Sequence, residues 1–138
     1  MSGAVGRTPV MIVDDHRPFL AVARRLVEAT DGLDVVAAAA SGFEAVSLAA
    51  AERPTLVLMD VNLPDIDGFE ATRRIVSTAP STIVVLTSTY DETSLSTDPA
   101  SCGAVCFIPK QDLTPTTLSD VLRRVITRRR SDGQEPNR

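Results

Sequence analysis

The sequence has few aromatic residues, few cysteines and no long apolar segment. It contains four Phe, one Tyr and no Trp among 138 residues, so aliphatic side chains must fill any hydrophobic core. The two cysteines, Cys102 and Cys106, are too few for a disulfide framework, and we expect two free thiols. No apolar stretch is long enough to cross a bilayer, and no secretory signal precedes the first apolar run. We therefore expect a cytoplasmic protein that does not bind membranes.

The length and the charge of the chain limit its class further. A chain of 138 residues, 43% of them hydrophobic, suits one compact domain. The formal net charge is −4. Because contacts with phosphates need clustered cations, this charge argues against direct nucleic-acid binding as the main role. We expect a flexible N-terminus over residues 1–8, a domain over 9–130 and a disordered tail over 131–138.

Strand-like and helix-like segments alternate along the chain. The strand-like segments are continuous apolar runs, namely Val10–Val13, Leu33–Ala39, Thr55–Met59, Thr82–Leu86 and a fifth within Gly103–Pro109. Amphipathic segments follow them, with predicted starts near Pro18, Ser41, Asp67 and Thr114. This alternation predicts an α/β fold in which a five-stranded parallel sheet has helices on both faces and right-handed crossovers.

Two of these helices begin with recognisable capping residues. Ser41 precedes one helix and Glu44 lies three residues later, which is the capping-box pattern. Asp67 and Glu70 repeat that spacing before the next helix. A helix is also expected over Tyr90–Cys102, but this segment is rich in Ser and Thr and contains a proline. We therefore predict that this fourth helix is short or irregular.

Residues with a carboxylate, hydroxyl or ammonium group follow four of the five predicted strands. They are Asp14 and Asp15 after the first strand, Asp60 after the third, Thr87 after the fourth and Lys110 after the fifth. Because ligands of open parallel α/β sheets bind beyond the carboxyl ends of the strands, we expect these side chains to meet. Three crowded carboxylates raise one another's pKa unless a cation joins them, and such an oxygen-rich site suits Mg²⁺. Next to that metal, Asp60 can act as a nucleophile toward phosphorus.

The residues that follow the strands resemble those of the receiver domain of two-component response regulators. Three longer runs carry the same resemblance, namely Asp60–Gly68 (Asp-Val-Asn-Leu-Pro-Asp-Ile-Asp-Gly), Thr87-Ser88 and Phe107-Ile108-Pro109-Lys110. The resemblance covers roughly residues 9–130. It implies a flavodoxin-like, doubly wound sheet with the strand order 2-1-3-4-5. It also implies that Asp60 accepts the phosphoryl group, and that Mg²⁺, with Mn²⁺ as a substitute, is held by Asp14, Asp15, Asp60 and the backbone carbonyl of Asn62.

The same resemblance implies how the domain signals. Thr87 is the switch hydroxyl, Lys110 binds the phosphoryl group, and Phe107 turns inward when Thr87 moves. The donor is a sensor histidine kinase or a phosphotransfer protein, and a downstream protein partner binds the face formed by the fourth helix, the fifth strand and the last helix. The domain catalyses its own phosphoryl transfer and a slow dephosphorylation, so it is not an ordinary enzyme. We expect a monomer or a weak dimer.

Several features modify this interpretation. The run Val-Asp-Asp-His and the absence of proline after Lys110 are more similar to the nitrate-response type of regulator than to the chemotaxis type. No effector domain is recognisable after Arg130, so we expect a stand-alone regulator, with a truncated one as the alternative. Two other functions stay open. One is a protein-interaction module of the same fold that phosphorylation does not control. The other is a phosphatase with an aspartate nucleophile, which would turn over an aryl phosphate.

Overall fold

The computed structural model of the chain describes residues 7–89 and 98–133. The strands of its sheet are β1 (Thr8–Val13), β2 (Leu33–Ala39), β3 (Leu56–Asp60), β4 (Ile83–Ser88) and β5 (Cys106–Pro109). The α-helices within these residues are α1 (Arg17–Glu28), α2 (Gly42–Glu52), α3 (Gly68–Thr78) and α4 (Pro115–Gly133). All strand pairs are parallel, and the order β2-β1-β3-β4-β5 confirms the predicted fold.

The sheet has a hydrophobic core on each face. On one face, alternate residues of β1, β3 and β4 pack against α2 and α3 around Ala45, Ala71 and Ile75. On the other face, the intervening residues of the same strands pack against α1 and α4 around Val27 and Leu118. Because both faces of the central strands are covered, their sequences are continuously apolar rather than alternating. In the part of the chain that the structure describes, no helix is both long and apolar enough to span a membrane.

The predicted capping residues form the expected hydrogen bonds. The Ser41 hydroxyl accepts a hydrogen bond from the Glu44 N–H at 3.1 Å, and the Glu44 carboxylate accepts one from the Ala40 N–H at 2.8 Å. The Asp67 carboxylate accepts one from the Glu70 N–H at 2.9 Å. These bonds satisfy N–H groups at the starts of α2 and α3, so both helices begin where the sequence predicts.

Two boundaries differ from the prediction. β1 begins at Thr8, inside the segment expected to be flexible, because Thr8 donates to the Gly32 carbonyl at 2.6 Å and pairs with β2. α4 continues to Gly133, inside the expected tail, and Arg129 near its end donates to the Ser81 carbonyl at 2.9 Å. This tertiary contact joins the last turns of α4 to the segment before β4. The rest of the two expected flexible segments, residues 1–6 and 134–138, lies outside the described residues.

The segment predicted as a short or irregular helix is described only in part. Residues 90–97 lie outside the described residues, and Pro99–Cys102 forms a 3₁₀-helix. Gly103, in the left-handed conformation with φ of 97°, ends this turn. The last α-helix is therefore α4 in our numbering. Cys102 and Cys106 are free thiols, as predicted.

Candidate functional site

The carboxyl ends of β1, β3, β4 and β5 bring the predicted site residues to one edge of the sheet. Asp14 directly follows β1, Asp60 is the last residue of β3, and Lys110 directly follows β5. Asp60 and Thr87 are register partners on adjacent strands, and the Val61 N–H donates to the Thr87 carbonyl at 2.9 Å. The parallel topology therefore places residues far apart in the sequence beside one another.

Lys110 connects the two buried carboxylates of this edge. Its Nζ lies 2.6 Å from Asp14 Oδ2 and 3.8 Å from Asp60 Oδ2. The side chains of Asp14 and Asp60 are 1% and 5% exposed, and that of Lys110 is 13% exposed. Ion pairs removed from water to this degree are screened little by solvent. Lys110 thus supplies a fixed positive charge next to both carboxylates.

The backbone after Lys110 forms a tight turn without a cis peptide bond. Lys110–Asp112 is a 3₁₀-helix, and the Leu113 N–H donates to the Lys110 carbonyl at 3.2 Å. The described residues contain no cis peptide, so Gln111 follows Lys110 through a trans bond. With this trans bond, the Lys110 side chain still reaches the carboxylates of Asp14 and Asp60.

Asp14 keeps one buried oxygen without a hydrogen-bond donor. Its Oδ1 accepts a hydrogen bond from the His16 N–H at 2.8 Å. Its Oδ2 forms an ion pair with Lys110 but has no hydrogen-bond partner among the described residues. A carboxylate oxygen accepts more than one partner, so a further cation can bind this one beside Lys110. The position fits an oxygen ligand of a divalent metal.

Asp60 also fits a role as a metal ligand. Burial, and then the negative charge of Asp14, raise the pKa of the Asp60 carboxyl from 3.8 to about 6. The charge of Lys110 and the hydrogen bond from the Asn62 N–H, at 3.3 Å, oppose this shift, and Asp15 adds to it. The positive charge of Lys110 thus only partly compensates the negative charges of the carboxylates. A divalent cation bound by them would complete the compensation, and oxygen ligands are those that Mg²⁺ prefers.

Asp15 and His16 lie at the exposed side of the site. The Asp15 side chain is 42% exposed and the His16 side chain is 74% exposed. Atoms of Asp14, Asp15 and His16 that can bind a metal all lie within 4.8 Å of one another. Asp60 is not in that group. The predicted metal ligands Asp14, Asp15 and Asp60 therefore lie at one edge of the sheet, but their oxygen atoms do not form one tight cluster.

Phe107 and Thr87 lie at positions that suit a switch. Thr87 is 1% exposed. Phe107 pairs with Leu86, the neighbour of Thr87, and its partly buried side chain packs against the core that α2 and α3 cover. The ring therefore lies against apolar side chains close to Thr87.

Sequence analysis missed two residues of this region. Phe19, in the first turn of α1, places its ring centroid 4.5 Å from Lys110 Nζ, a cation–π contact. Asp65, in the loop after β3, accepts hydrogen bonds from the first turn of α2. The contacting residues are far away in the sequence, so no local pattern could have identified either role.

Comparisons with known proteins decide the family of the chain. The response regulator receiver domain matches residues 10–123. The chain belongs to this family. The receiver domain is similar to protein-glutamate methylesterase/protein-glutamine glutaminase 1 of Saccharophagus degradans, at 35% identity over 83% of the chain and 32% of that protein. It thus spans about a third of the length of this curated relative.

Solved structures agree with this assignment. The receiver domain superposes on a LuxR-family response regulator from Aurantimonas with a TM-score of 0.77 and 29% identity, covering 88% of this chain and 86% of that one. It also superposes on the receiver domain of the response regulator NarL from Mycobacterium tuberculosis, with a TM-score of 0.73 and 26% identity over 82% and 94% of the two chains. Receiver domains are phosphoacceptors of two-component signalling and bind Mg²⁺ in an acidic pocket.

Proposed function

We propose that this receiver domain accepts a phosphoryl group on Asp60 from a phosphohistidine of a sensor histidine kinase or a phosphotransfer protein. One observation carries the proposal: a single ammonium, that of Lys110, lies 2.6 Å from a carboxylate oxygen of Asp14 and 3.8 Å from one of Asp60. A buried carboxylate with a cation beside it thus lies beyond the strand ends, which supports a nucleophilic role for Asp60. Phosphoryl transfer depends mainly on such positioning and charge compensation.

The residues of the site have distinct tasks in the transfer. A carboxylate oxygen of Asp60 forms the new O–P bond as the P–N bond of the donor breaks, and the imidazole nitrogen leaves with the electron pair. Lys110 offsets negative charge on the transferring group. The hydroxyl of Thr87, the register partner of Asp60, donates a hydrogen bond to a phosphoryl oxygen. The same residues would also catalyse a slow hydrolysis of the acyl phosphate. The domain would thus catalyse both its own phosphorylation and its own dephosphorylation.

Four groups would hold the metal, namely the carboxylates of Asp14, Asp15 and Asp60 and the backbone carbonyl of Asn62. Mg²⁺, or Mn²⁺ in its place, would supply positive charge next to the transferring phosphoryl group. The buried Asp14 Oδ2 without a hydrogen-bond donor and the raised pKa of Asp60 support this assignment.

Acetyl phosphate tests the proposal without the natural donor. With Mg²⁺ and acetyl phosphate, the wild-type protein should gain one phosphoryl group by intact-mass spectrometry, and Asp60→Asn should gain none. Asp34→Asn removes an exposed carboxylate of β2 far from the site and should be labelled like the wild type. Equal labelling of the wild type and Asp60→Asn would contradict the proposal, as would no labelling of either. An absence of labelling would favour a protein-interaction module that phosphorylation does not control.

Phosphorylation would act on partner binding through Thr87 and Phe107. The phosphoryl group adds about −1.5 to −2 charges, which draws Thr87 toward Asp60 and lets Phe107 fill the space that it leaves. The affected face includes β5 and α4, which border a groove of about 480 Å³. Its lining residues are Ala100, Ala104, Val105, Cys106, Val121, Arg124, Val125, Arg128 and Arg129. If Phe107→Ala left phosphorylation-dependent partner binding unchanged, this route would be wrong.

We further propose that the domain belongs to the nitrate-response type of receiver and acts in the cytoplasm as a monomer or weak dimer. The support for the type is the Asp14-Asp15-His16 run and the Gln111 that follows Lys110. Sedimentation of the protein with and without acetyl phosphate tests the oligomeric state.

A further inference from the structure

Asp65 joins the loop after the phosphoacceptor strand to a different helix. The loop over residues 61–67 runs from the end of β3 to the start of α3. Near its tip, Asp65 Oδ1 accepts a hydrogen bond from the Gly42 N–H and Oδ2 accepts one from the Phe43 N–H, both at 2.8 Å. A single carboxylate therefore binds the first turn of α2 with both oxygens.

The packing around this contact is close. A Cβ on Gly42 would overlap the side chain of Ile66 and would lie 2.8 Å from the Ile66 carbonyl oxygen. Only glycine lets the loop approach α2 to this distance. At its base, the loop is closed by a hydrogen bond of 2.8 Å from the Gly68 N–H to the Val61 carbonyl. The loop that contains Asn62 is thus fixed at its base and at its tip.

The start of α2 has capping groups of its own. Ser41 accepts from the Glu44 N–H, and the Glu44 carboxylate accepts from the Ala40 N–H. These two groups form the local cap of the helix. Asp65 adds a second set of acceptors from 22 and 23 residues away, so these bonds restrain the loop as well as the helix.

We propose that Asp65 is a positioning residue that holds the loop 61–67 so that the backbone of Asn62 faces the acidic site. The inference rests on the proposed function, in which the Asn62 carbonyl binds Mg²⁺. Groups that orient metal ligands commonly contribute to metal affinity. Because coupling is reciprocal, bound Mg²⁺ should also strengthen the hydrogen bonds between Asp65 and α2.

Four proteins test the inference: the wild type, Asp65→Ala, Asp65→Asn and Ser41→Ala. Asp65→Ala and Asp65→Asn remove the same charge, but the asparagine keeps an oxygen that can accept from the α2 amides. Ser41→Ala weakens the cap of α2 without touching the loop. In titration calorimetry with MgCl₂, we expect Asp65→Ala to raise the Kd roughly 5-fold or more. Asp65→Asn should lie closer to the wild type, and Ser41→Ala should match it.

Hydrogen exchange supplies a readout that does not depend on phosphorylation. The Gly42 and Phe43 amides of the wild type should exchange more slowly when Mg²⁺ is added, by a factor similar to the change in Kd. In Asp65→Ala they should exchange quickly and respond little to Mg²⁺.

The outcomes separate the two proposals. If the wild type binds no Mg²⁺, the proposed metal site fails and this inference fails with it. If the wild type binds Mg²⁺ and Asp65→Ala binds it equally well, the inference alone is overturned. Equal weakening of Asp65→Ala and Asp65→Asn would assign the effect to charge, and equal weakening of Ser41→Ala and Asp65→Ala would assign it to helix stability. Both results would also overturn the inference.

Discussion

Gly68, the first residue of α3, packs directly against the backbone carbonyl of Asp60. A Cβ at position 68 would overlap the Asp60 carbonyl oxygen and would lie 2.9 Å from the Val61 Cα. These are backbone atoms, so they cannot move away as the end of a flexible side chain can. The start of α3 therefore restricts the position of the candidate phosphoacceptor, through a residue that has no side chain of its own.

Gly68→Ala should lower both stability and phosphorylation by acetyl phosphate. Overpacking at such a site costs about 1–3 kcal/mol, and displacement of the Asp60 backbone should slow labelling. Gly32→Ala is the matched control, because Gly32 has a φ of 83° but no atom within 4 Å of an added Cβ. It should cost stability through backbone strain and leave the labelling rate unchanged. Equal labelling rates in Gly68→Ala and the wild type would contradict the prediction.

Removal of Lys110 should destabilise the metal-free protein. Lys110→Ala leaves the carboxylates of Asp14 and Asp60 without their shared cation. Loss of one partner of a buried ion pair typically costs about 3–5 kcal/mol, and urea unfolding at neutral pH measures this loss. Lys110→Arg keeps the charge and should lose less. Saturating MgCl₂ should restore part of the stability of Lys110→Ala, and an unchanged unfolding midpoint with the metal would count against a metal site there.

The contact between Phe19 and Lys110 should affect the reactivity of the site. Phe19→Leu removes the aromatic face that lies 4.5 Å from Lys110 Nζ, a contact expected to contribute about 0.5–1 kcal/mol. Labelling by acetyl phosphate should slow by a factor of about 2–5, since 1.36 kcal/mol corresponds to tenfold. Phe19→Tyr retains the ring and should label like the wild type.

Nuclear magnetic resonance can observe this contact directly. Lys110 is the only lysine in the sequence, so its side-chain signals can be assigned without ambiguity. The ε-methylene protons should lose their aromatic ring-current shift in Phe19→Leu and keep it in Phe19→Tyr. The same ε-methylene shift in Phe19→Leu and the wild type would show that the ring does not contact Lys110 in solution.

Asp60 should make the stability of the metal-free protein depend on pH. Burial and the charge of Asp14 raise its pKa from 3.8 to about 6, so the folded state binds this proton more tightly than the unfolded chain does. The stabilisation is complete below about pH 4 and is lost as the pH rises through about 6. Above that pH, metal-free Asp60→Asn should be more stable than the wild type, by at most about 3 kcal/mol.

Urea unfolding of both proteins between pH 4 and 8, with a chelator present, measures this difference. It should shrink toward zero as the pH falls to about 4. The exposed-site variant Asp34→Asn should change stability by under about 0.5 kcal/mol at neutral pH. A metal-free Asp60→Asn that is less stable than the wild type at pH 7.5 would show that burial and the charge of Asp14 do not disfavour the ionised carboxylate.

Local signals in the sequence predicted the fold well. Continuous apolar runs identified the five strands, and the Ser41–Glu44 and Asp67–Glu70 spacings identified the starts of α2 and α3. Contacts from elsewhere in the fold limited the prediction at its ends. Thr8 joins β1 through its bond to Gly32, and Arg129 near the end of α4 binds the segment before β4.

The candidate site was predictable where its residues follow strands. Asp14, Asp60 and Lys110 could be grouped because parallel strands end at the same edge of the sheet. Phe19 and Asp65 could not, because their roles depend on how the first turn of α1 meets the turn after β5 and how one loop packs on α2. The direct ion pair between Lys110 and Asp14, closer than that to Asp60, was likewise not evident from spacing.

The position of the acyl phosphate tests the central claim most directly. The protein is incubated with acetyl phosphate and Mg²⁺ and then reduced with borohydride, which converts a phosphorylated aspartate into homoserine, and peptide mass spectrometry locates the change. We predict homoserine at position 60 in the wild type, in a Mg²⁺-dependent yield, and none in a sample without acetyl phosphate. Homoserine at another aspartate, or a phosphoryl group that resists borohydride on a serine or threonine, would contradict the assignment of Asp60 as the phosphoacceptor.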